Sequence, residues 1–469
     1  MQVSSMKFKE TAHVKLHDAR LQVNLAKLKP KFVNARRNSL SEVDDFEATR
    51  AAGKAIRDRA LDNLDVWLEI FERNATARGA VVLFAENPAD VNALVLAIAA
   101  RHGVQKIVKV KSMVSEESAL DHAIEAAGLK VVETDLGEYI LQINDYEAPS
   151  HIVGPVLHKS KDEVADLFAK AHGTPRKTGV EELCLEARQV LRQHYLTADM
   201  GVSGGNFFVA ETGSVVLVTN EGNATLSTTL PKVHVAISGI EKIVPTLADV
   251  ATLMRLLPRS ATGQSISNYV DVYTGPKEPG EHHGAEHMYF IVVDSGRTGI
   301  LGSDVREALR CIRCGACMNH CPVYQNVGGH AYGWVYPGPI GSILTPMYVG
   351  LDKAQDLPAA STLCNQCGVV CPVMIPLPDL QRKLREQAFA QGLRPWTERA
   401  ALKAWSFVAL RPGLYAAATK MGVRLMRWLA GRDGRIHRLP VGGGWTDGRD
   451  LAAPAGRTFR ELYRARGSR

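Results

Sequence analysis

The sequence predicts an α/β domain followed by a smaller, mainly helical domain, and three observations carry that prediction. Between 61 and 298, apolar runs of strand character alternate with segments of helical period, which implies a mostly parallel sheet covered by helices. Near 310 stands a dense cysteine run, Cys311, Cys314, Cys317 and Cys321, closed by Pro322. Near 364 stands its echo, Ser361, Cys364, Cys367 and Cys371, closed by Pro372.

In chain order, residues 1–60 read as a helical segment. From 40 to 76, apolar side chains recur at helical spacing, with Ala60, Leu64, Trp67, Leu68 and Phe71 on one stripe, so a long amphipathic helix or a pair is expected. AVVLFAE at 80 reads as a buried strand, DVNALVLAIAARHG as a helix ending at Gly103, and KIVKV at 106 as a second strand. SEESALDHAIEAAG is the next helix and KVVETD at 130 the next strand. Ser160 and Glu163 form a capping box that opens KDEVADLFAKAHG. A further helix covers 179–195, with Cys184 expected in the core. Strands follow at FFVAE, SVVLVT, KVHVAI and, after the helix LADVATLMRLL, at HMYFIVVD.

The first cysteine run has the C-x2-C-x2-C-x3-C-P spacing that wraps one loop around a cubane iron–sulfur cluster. Thiolates suit iron because they are soft, charged donors. In paired runs the last cysteine of each ligates the other cluster, so Cys311, Cys314, Cys317 and Cys371 form one expected ligand set. Cys321, Cys364 and Cys367 form the other. The remaining iron of that second set could bind Ser361, water or another side chain, with Ser361 a weak ligand because a hydroxyl ionises far less readily than a thiol. Two four-iron clusters are expected, the second either reduced to three irons or completed by a non-cysteine group. His330 in the spacer is the first such group to consider. That spacer, rich in Gly, Pro and aromatics, and the helical flank LPDLQRKLREQAFAQG favour an α-helical ferredoxin over the compact type with strands between its runs.

Three other stretches invite a functional reading. GVSGGNFFVAETGSVVLVTNEGNATLSTTLP (201–231) is dense in Gly, Ser, Thr and Asn between strands, so Ser203, Gly204, Asn206, Glu211, Thr212 and Asn223 are candidates for an anion or small-molecule pocket. The alternative is that they are turns of a well-connected sheet. His282, His283 and His287 with Glu281 and Glu286 lack helical H-E-x-x-H geometry and read as structural. Lys109, Lys111 and Ser112 follow a strand and could face an acidic substrate, but solvated lysines are the expected state.

Of 469 residues, 46% are apolar, enough for real cores, and seven of the eight cysteines sit in the two runs. That concentration suits a reducing cytoplasm. No nucleotide-binding glycine motif and no nucleic-acid module is present, so nucleic acid is not an expected partner. No apolar run is long enough to span a bilayer. From Gly392 onward, 16 Lys and Arg stand against 5 Asp and Glu, a net +11 within an overall +7. LYAAATKMGVRLMRWLAGR (414–432) gathers Leu414, Met421, Leu425, Trp428 and Leu429 on one stripe. A soluble cytoplasmic protein is expected, whose basic tail meets the inner membrane face or packs on protein.

The ordered motifs TDLGEYI, HKSKDEVADLF, ETGSVVLVTNEGNA, GIEKIVPTLAD, both cysteine runs, GWVYPGPIG and the tail PVGGGWTDGRDLAAPAGRTFRELY closely resemble the lactate utilization protein B family. The resemblance implies a LUD domain, similar in fold to CoA transferases and ribose-phosphate isomerases, before the ferredoxin. It divides the chain into 1–60, a helical segment; 61–298, the LUD-like domain; 299–395, the α-helical ferredoxin; and 396–469, the basic C-terminal segment. It implies an electron-transfer subunit of a multi-protein system oxidising L-lactate to pyruvate, beside a cysteine-rich-domain protein and a second LUD protein. The competing reading is an independent acyl- or sugar-phosphate-transforming enzyme with accessory clusters, using Glu211 or Glu221 as nucleophile or base.

Overall fold

A computed structural model describes residues 3–440, 443–446 and 448–466. The expected tail motif therefore has Val441, Gly442 and Asp447 outside the described residues. The chain forms two compact units, Met1–Ala388 and Phe389–Arg469.

The first unit is built on a six-stranded, wholly parallel sheet. Its strands are β1 (Val81–Ala85), β2 (Lys106–Lys109), β3 (Lys130–Glu133), β4 (Met200–Gly204), β7 (Val233–Gly239) and β10 (His287–Val293), in the order β1-β10-β7-β4-β2-β3. Hydrophobic runs long enough to be covered on both faces explain β7 and β10, which both lie inside the sheet. β1 was expected to be buried, but it is an edge strand pairing with β10 alone, so Val81 and Phe84 are exposed.

FFVAE and SVVLVT do not join that sheet. As β5 (Phe207–Val209) and β6 (Ser214–Thr219) they form a second sheet with β8 (Ile243–Val244) and β9 (Tyr269–Tyr273), in the order β8-β5-β6-β9. The stripe expected from 40 to 76 becomes two helices, Phe46–Asp62 and Leu64–Ala77, separated at Asn63. On the second, Phe71 meets Phe208 of β5 at 4.9 Å and Phe290 of β10 at 5.3 Å between ring centroids, tying the two sheets together. Truncating such a side chain costs about 3–5 kcal/mol. The capping box at Ser160 and Glu163 forms as expected. Cys184 is exposed rather than core, because its helix turns Leu183, Ala187, Leu191 and Tyr195 inward.

After β10 the described residues up to 388 contain helices and turns but no strand. The N-terminal segment packs on this region. Ser4 N–H donates to Gly333 O at 2.8 Å, Ser5 Oγ–H to Tyr332 O at 2.8 Å, and Phe8 stands edge-on to Tyr332. The second unit holds helices Trp396–Ala409, Pro412–Trp428 and Phe459–Arg466, none with a buried residue. No described helix is long and apolar enough to cross a membrane.

Candidate iron–sulfur centre and adjoining cavity

The two cysteine runs adopt the same backbone twice. Arg313 and Gly315 of the first run have positive φ, and so do Leu363 and Asn365, fifty positions on. Each loop then enters a single short helix, Ala316–Asn319 or Gln366–Val370. In the first turn Arg313 N–H donates to Cys311 Sγ at 3.4 Å, and beyond the second run Ile375 N–H donates to Cys371 Sγ at 3.4 Å. At the position matching Cys311, Ser361 Oγ accepts Leu363 N–H at 3.1 Å.

The thiols fall into two groups. Cys314 feels the charge of Cys371 and Cys311, and Cys317 that of Cys311 and Cys314 first and then of Cys367 and Cys371, so Cys317 stands where the two groups adjoin. Cys321 feels Cys364, and Cys367 feels Cys321 and Cys364. Burial pushes Cys314 and Cys367 up to about 12 and Cys371 to about 11. Thiols so placed ionise at neutral pH only when a cation takes their charge. A small cavity is lined by Cys311, Cys314, Cys317 and Cys371 together, under Ile152, Ile340 and Leu377. Donor chemistry and enclosed space therefore fit an iron–sulfur group. Cys364 is exposed, so the second group opens toward solvent. Arg50 donates to Cys371 O through Nε at 3.0 Å and Nη2 at 2.8 Å, and Arg36 Nη2 to Val370 O at 3.1 Å.

A buried charge network that sequence reasoning missed joins the sheet domain to this centre. Arg297 binds Glu241 Oε2 at 2.7 Å and Glu117 Oε1 at 2.7 Å. Arg313 Nη2 reaches Glu241 Oε1 at 3.2 Å, Arg57 bonds the carbonyls of Glu241, Ile243 and Leu309, and Lys242 Nζ donates to Cys311 O at 2.8 Å. The arginines hold Glu241 at about 2 against the opposing cost of burial. Gly239 is required here, since a Cβ would come within 2.0 Å of Glu241 Oε2 and 2.3 Å of Arg297 Nε. Removing one partner from such a buried set costs about 3–5 kcal/mol.

Beside the network, at the carboxyl ends of β2, β3, β4 and β7, lies a cavity of about 460 Å³. Ligands bind parallel sheets at this edge. Gly204, Asn206, Asn223, Glu221, Lys111 and Ser112 line it from the sheet side, and Ile312, Arg313 and Tyr336 from the cluster side. Burial, with Asp135 nearby, pushes Glu221 up to about 7.

Three candidate pocket residues lie outside this cavity. Ser203 is fully buried and bonds His234 Nε2 at 2.8 Å; Glu211 Oε2 accepts from Leu247 N–H, and Thr212 Oγ1 from Ser214 Oγ–H. Their strand face or turn carries them away. Lys109 is not solvated. It is completely buried among Glu133, Glu116 and Asp121 at 2.5, 3.1 and 3.3 Å, where the carboxylates hold it protonated. Lys111 is also mostly buried. His282 and His283 sit exposed in a turn, and His287 packs on His102. His330 does not face the second thiol group: its Nε2 donates to Ala148 O at 2.7 Å and its ring meets His158.

Comparison with known proteins covers nearly the whole chain. A LUD domain model matches residues 68–293, a 4Fe-4S dicluster domain 307–375, and the C-terminal model of lactate utilisation protein B 378–468. Lactate utilization protein B of Anoxybacillus flavithermus is 42% identical over 100% of this chain and 99% of its own. That of Shouchella clausii is 42% identical over 99% and 98%. A DUF162 family crystal structure from Deinococcus radiodurans covers 49% of this chain and 98% of its own, at 14% identity and TM-score 0.28.

Proposed function

The chain belongs to the lactate utilization protein B family, and we propose that, as an iron–sulfur component of lactate utilization, it carries electrons for a system oxidising L-lactate to pyruvate. The observation that supports this reading is the doubled loop, with Cys371 lining the same small cavity as Cys311, Cys314 and Cys317. Two clusters in an α-helical ferredoxin fold follow, one on Cys311, Cys314, Cys317 and Cys371, the other on Cys321, Cys364 and Cys367 with Ser361 in the fourth slot.

Iron–sulfur clusters held there supply one-electron carriage at potentials set by burial and by hydrogen bonds to sulfur. The chain's own residues provide those settings: the Arg313 N–H on Cys311 Sγ, the Ile375 N–H on Cys371 Sγ, and the positive charges of Arg36 and Arg50 on the loop around Cys371. Exposure of Cys364, with Leu363 and Val369 exposed beside it, offers an exchange point for a redox partner. The partners we infer are a cysteine-rich-domain subunit and a second LUD subunit, and the LUD-like domain shares its fold with CoA transferases and ribose-phosphate isomerases. A cytoplasmic place with peripheral membrane contact agrees with the basic second unit. An independent acyl- or sugar-phosphate enzyme is not favoured, since the relatives named for lactate utilization match end to end.

Anaerobic co-purification with the neighbouring gene products, followed by EPR on adding L-lactate, tests the reading. Lactate-dependent appearance of reduced-cluster signals is expected. Clusters that stay oxidised with lactate yet reduce with dithionite would overturn it.

A further inference from the structure

The large cavity carries three buried polar atoms without hydrogen-bond partners, and all belong to lining residues. Lys111 Nζ lies 3.4 Å from Glu138 Oε1 without hydrogen-bond geometry, Arg313 leaves Nη1 unused, and Asn223 leaves Oδ1 unused. Orphaned buried groups of this kind are destabilising unless something outside the chain completes them. Two are cationic donors and one is a neutral acceptor, which is the complement of an anion bearing a hydroxyl. Lys111's carboxylate neighbour is a weak counterion, since burial pushes Glu138 up to about 7. Apolar walls from Phe32, Ile152, Leu217 and Ile312 lower the local dielectric around these groups and strengthen their charge interactions.

We propose that this cavity binds a 2-hydroxy carboxylate, with Lys111 and Arg313 taking the carboxylate and Asn223 Oδ1 accepting the hydroxyl. The assignment rests on the lactate-system reading, and places the acid beside Ile312 and Arg313, inside the loop between Cys311 and Cys314. At about 460 Å³ the cavity exceeds a three-carbon acid, so longer hydroxy acids and ordered water also fit.

The test is calorimetric titration of the anaerobically purified holoprotein with L-lactate, propionate and inorganic phosphate. L-lactate is expected to bind at least about tenfold tighter than propionate, because a site that hydrogen-bonds a hydroxyl rejects the analogue lacking it. Lys111→Met should weaken L-lactate about tenfold or more with iron content unchanged, Lys111→Arg should restore part of it, and Asn223→Ala should abolish the preference over propionate. Unchanged affinity in Lys111→Met, phosphate binding as tightly as L-lactate, or no carboxylate binding at all would each overturn the proposal. Reversible reduction of the clusters in the same sample reads the electron-carrier function separately, so either idea can fail without the other.

Discussion

Ser361 stands to Leu363 as Cys311 stands to Arg313: each side chain accepts the N–H two residues on, Oγ at 3.1 Å in one loop and Sγ at 3.4 Å in the other. The serine therefore occupies the corner that a cysteine holds in the first run, with a donor that ionises far less readily. The two loops share a backbone but offer iron unequal fourth donors.

Crossed ligation gives the first expectation. Cys371→Ala should damage the cluster held by Cys311, Cys314 and Cys317, while Cys321→Ala should damage the one held by Cys364 and Cys367. Mössbauer spectra of the two variants distinguish the sites. Loss of each run's own cluster would refute the crossing.

Acid stability provides the second. His234, sealed in β7 with Ser203 Oγ 2.8 Å from Nε2, is lowered by burial from 6.5 to about 3. Its folded value lies below its unfolded one, so the neutral ring's contribution is full above the unfolded value and drains away as pH falls toward the folded one. The loss amounts to a few kcal/mol at most. His234→Gln keeps a partner for Ser203 but cannot take up the proton. Melting temperature should therefore fall less steeply in the variant than in wild type between about pH 6.5 and about pH 4. Parallel slopes would show that His234 does not titrate in the transition.

The second unit makes the third. Trp396, Trp405, Leu410, Met421 and Trp428 are exposed on its helices, in a segment with a net +11 from Gly392 onward. Deleting residues 414–469 should abolish salt-sensitive association with anionic vesicles or an acidic partner subunit while leaving cluster absorbance intact. Bleached clusters would instead make the segment structural, and unchanged binding would remove its role.

The two cysteine runs were legible in sequence because the cysteines of each lie three or four residues apart, within one loop, whereas any pairing of Cys371 with the first run spans more than fifty residues. The strand and helix alternation was equally local, although the sequence did not separate β5 and β6 into a second sheet, since pairing partners such as β9 lie some fifty residues away. Lys109 and Lys111 were misread as solvated because the carboxylates that surround them, Glu116, Asp121 and Glu133 for Lys109 and Glu138 for Lys111, are brought to them by the fold of the following helices and of β3 rather than by the strand itself. The network of Arg57, Glu117, Glu241, Lys242, Arg297 and Arg313 draws on five separate stretches, so no window could display it. One signal was present: Glu241 and Lys242 interrupt the apolar run from Ile240 to Val244, and charges in such a run demand partners.

Ser361 supplies the last expectation. With three thiolates and a hydroxyl, the second cluster should hold its fourth iron loosely, and Cys364 is already exposed to solvent at that end. On exposure to air, the second cluster should lose an iron before the first is affected, giving the EPR signal of an oxidised three-iron species that an oxidised low-potential four-iron cluster lacks. Ser361→Cys should delay that signal, because Oγ already sits where a thiolate would receive the Leu363 N–H. If wild type resists air as well as the variant does, another group completes the site. His330 is not that group, because its ring lies against His158 and beside Glu147, away from the thiols. Tyr332 would be the side chain to replace next, since its hydroxyl is buried without a partner and its neighbouring thiols include Cys321 and Cys367.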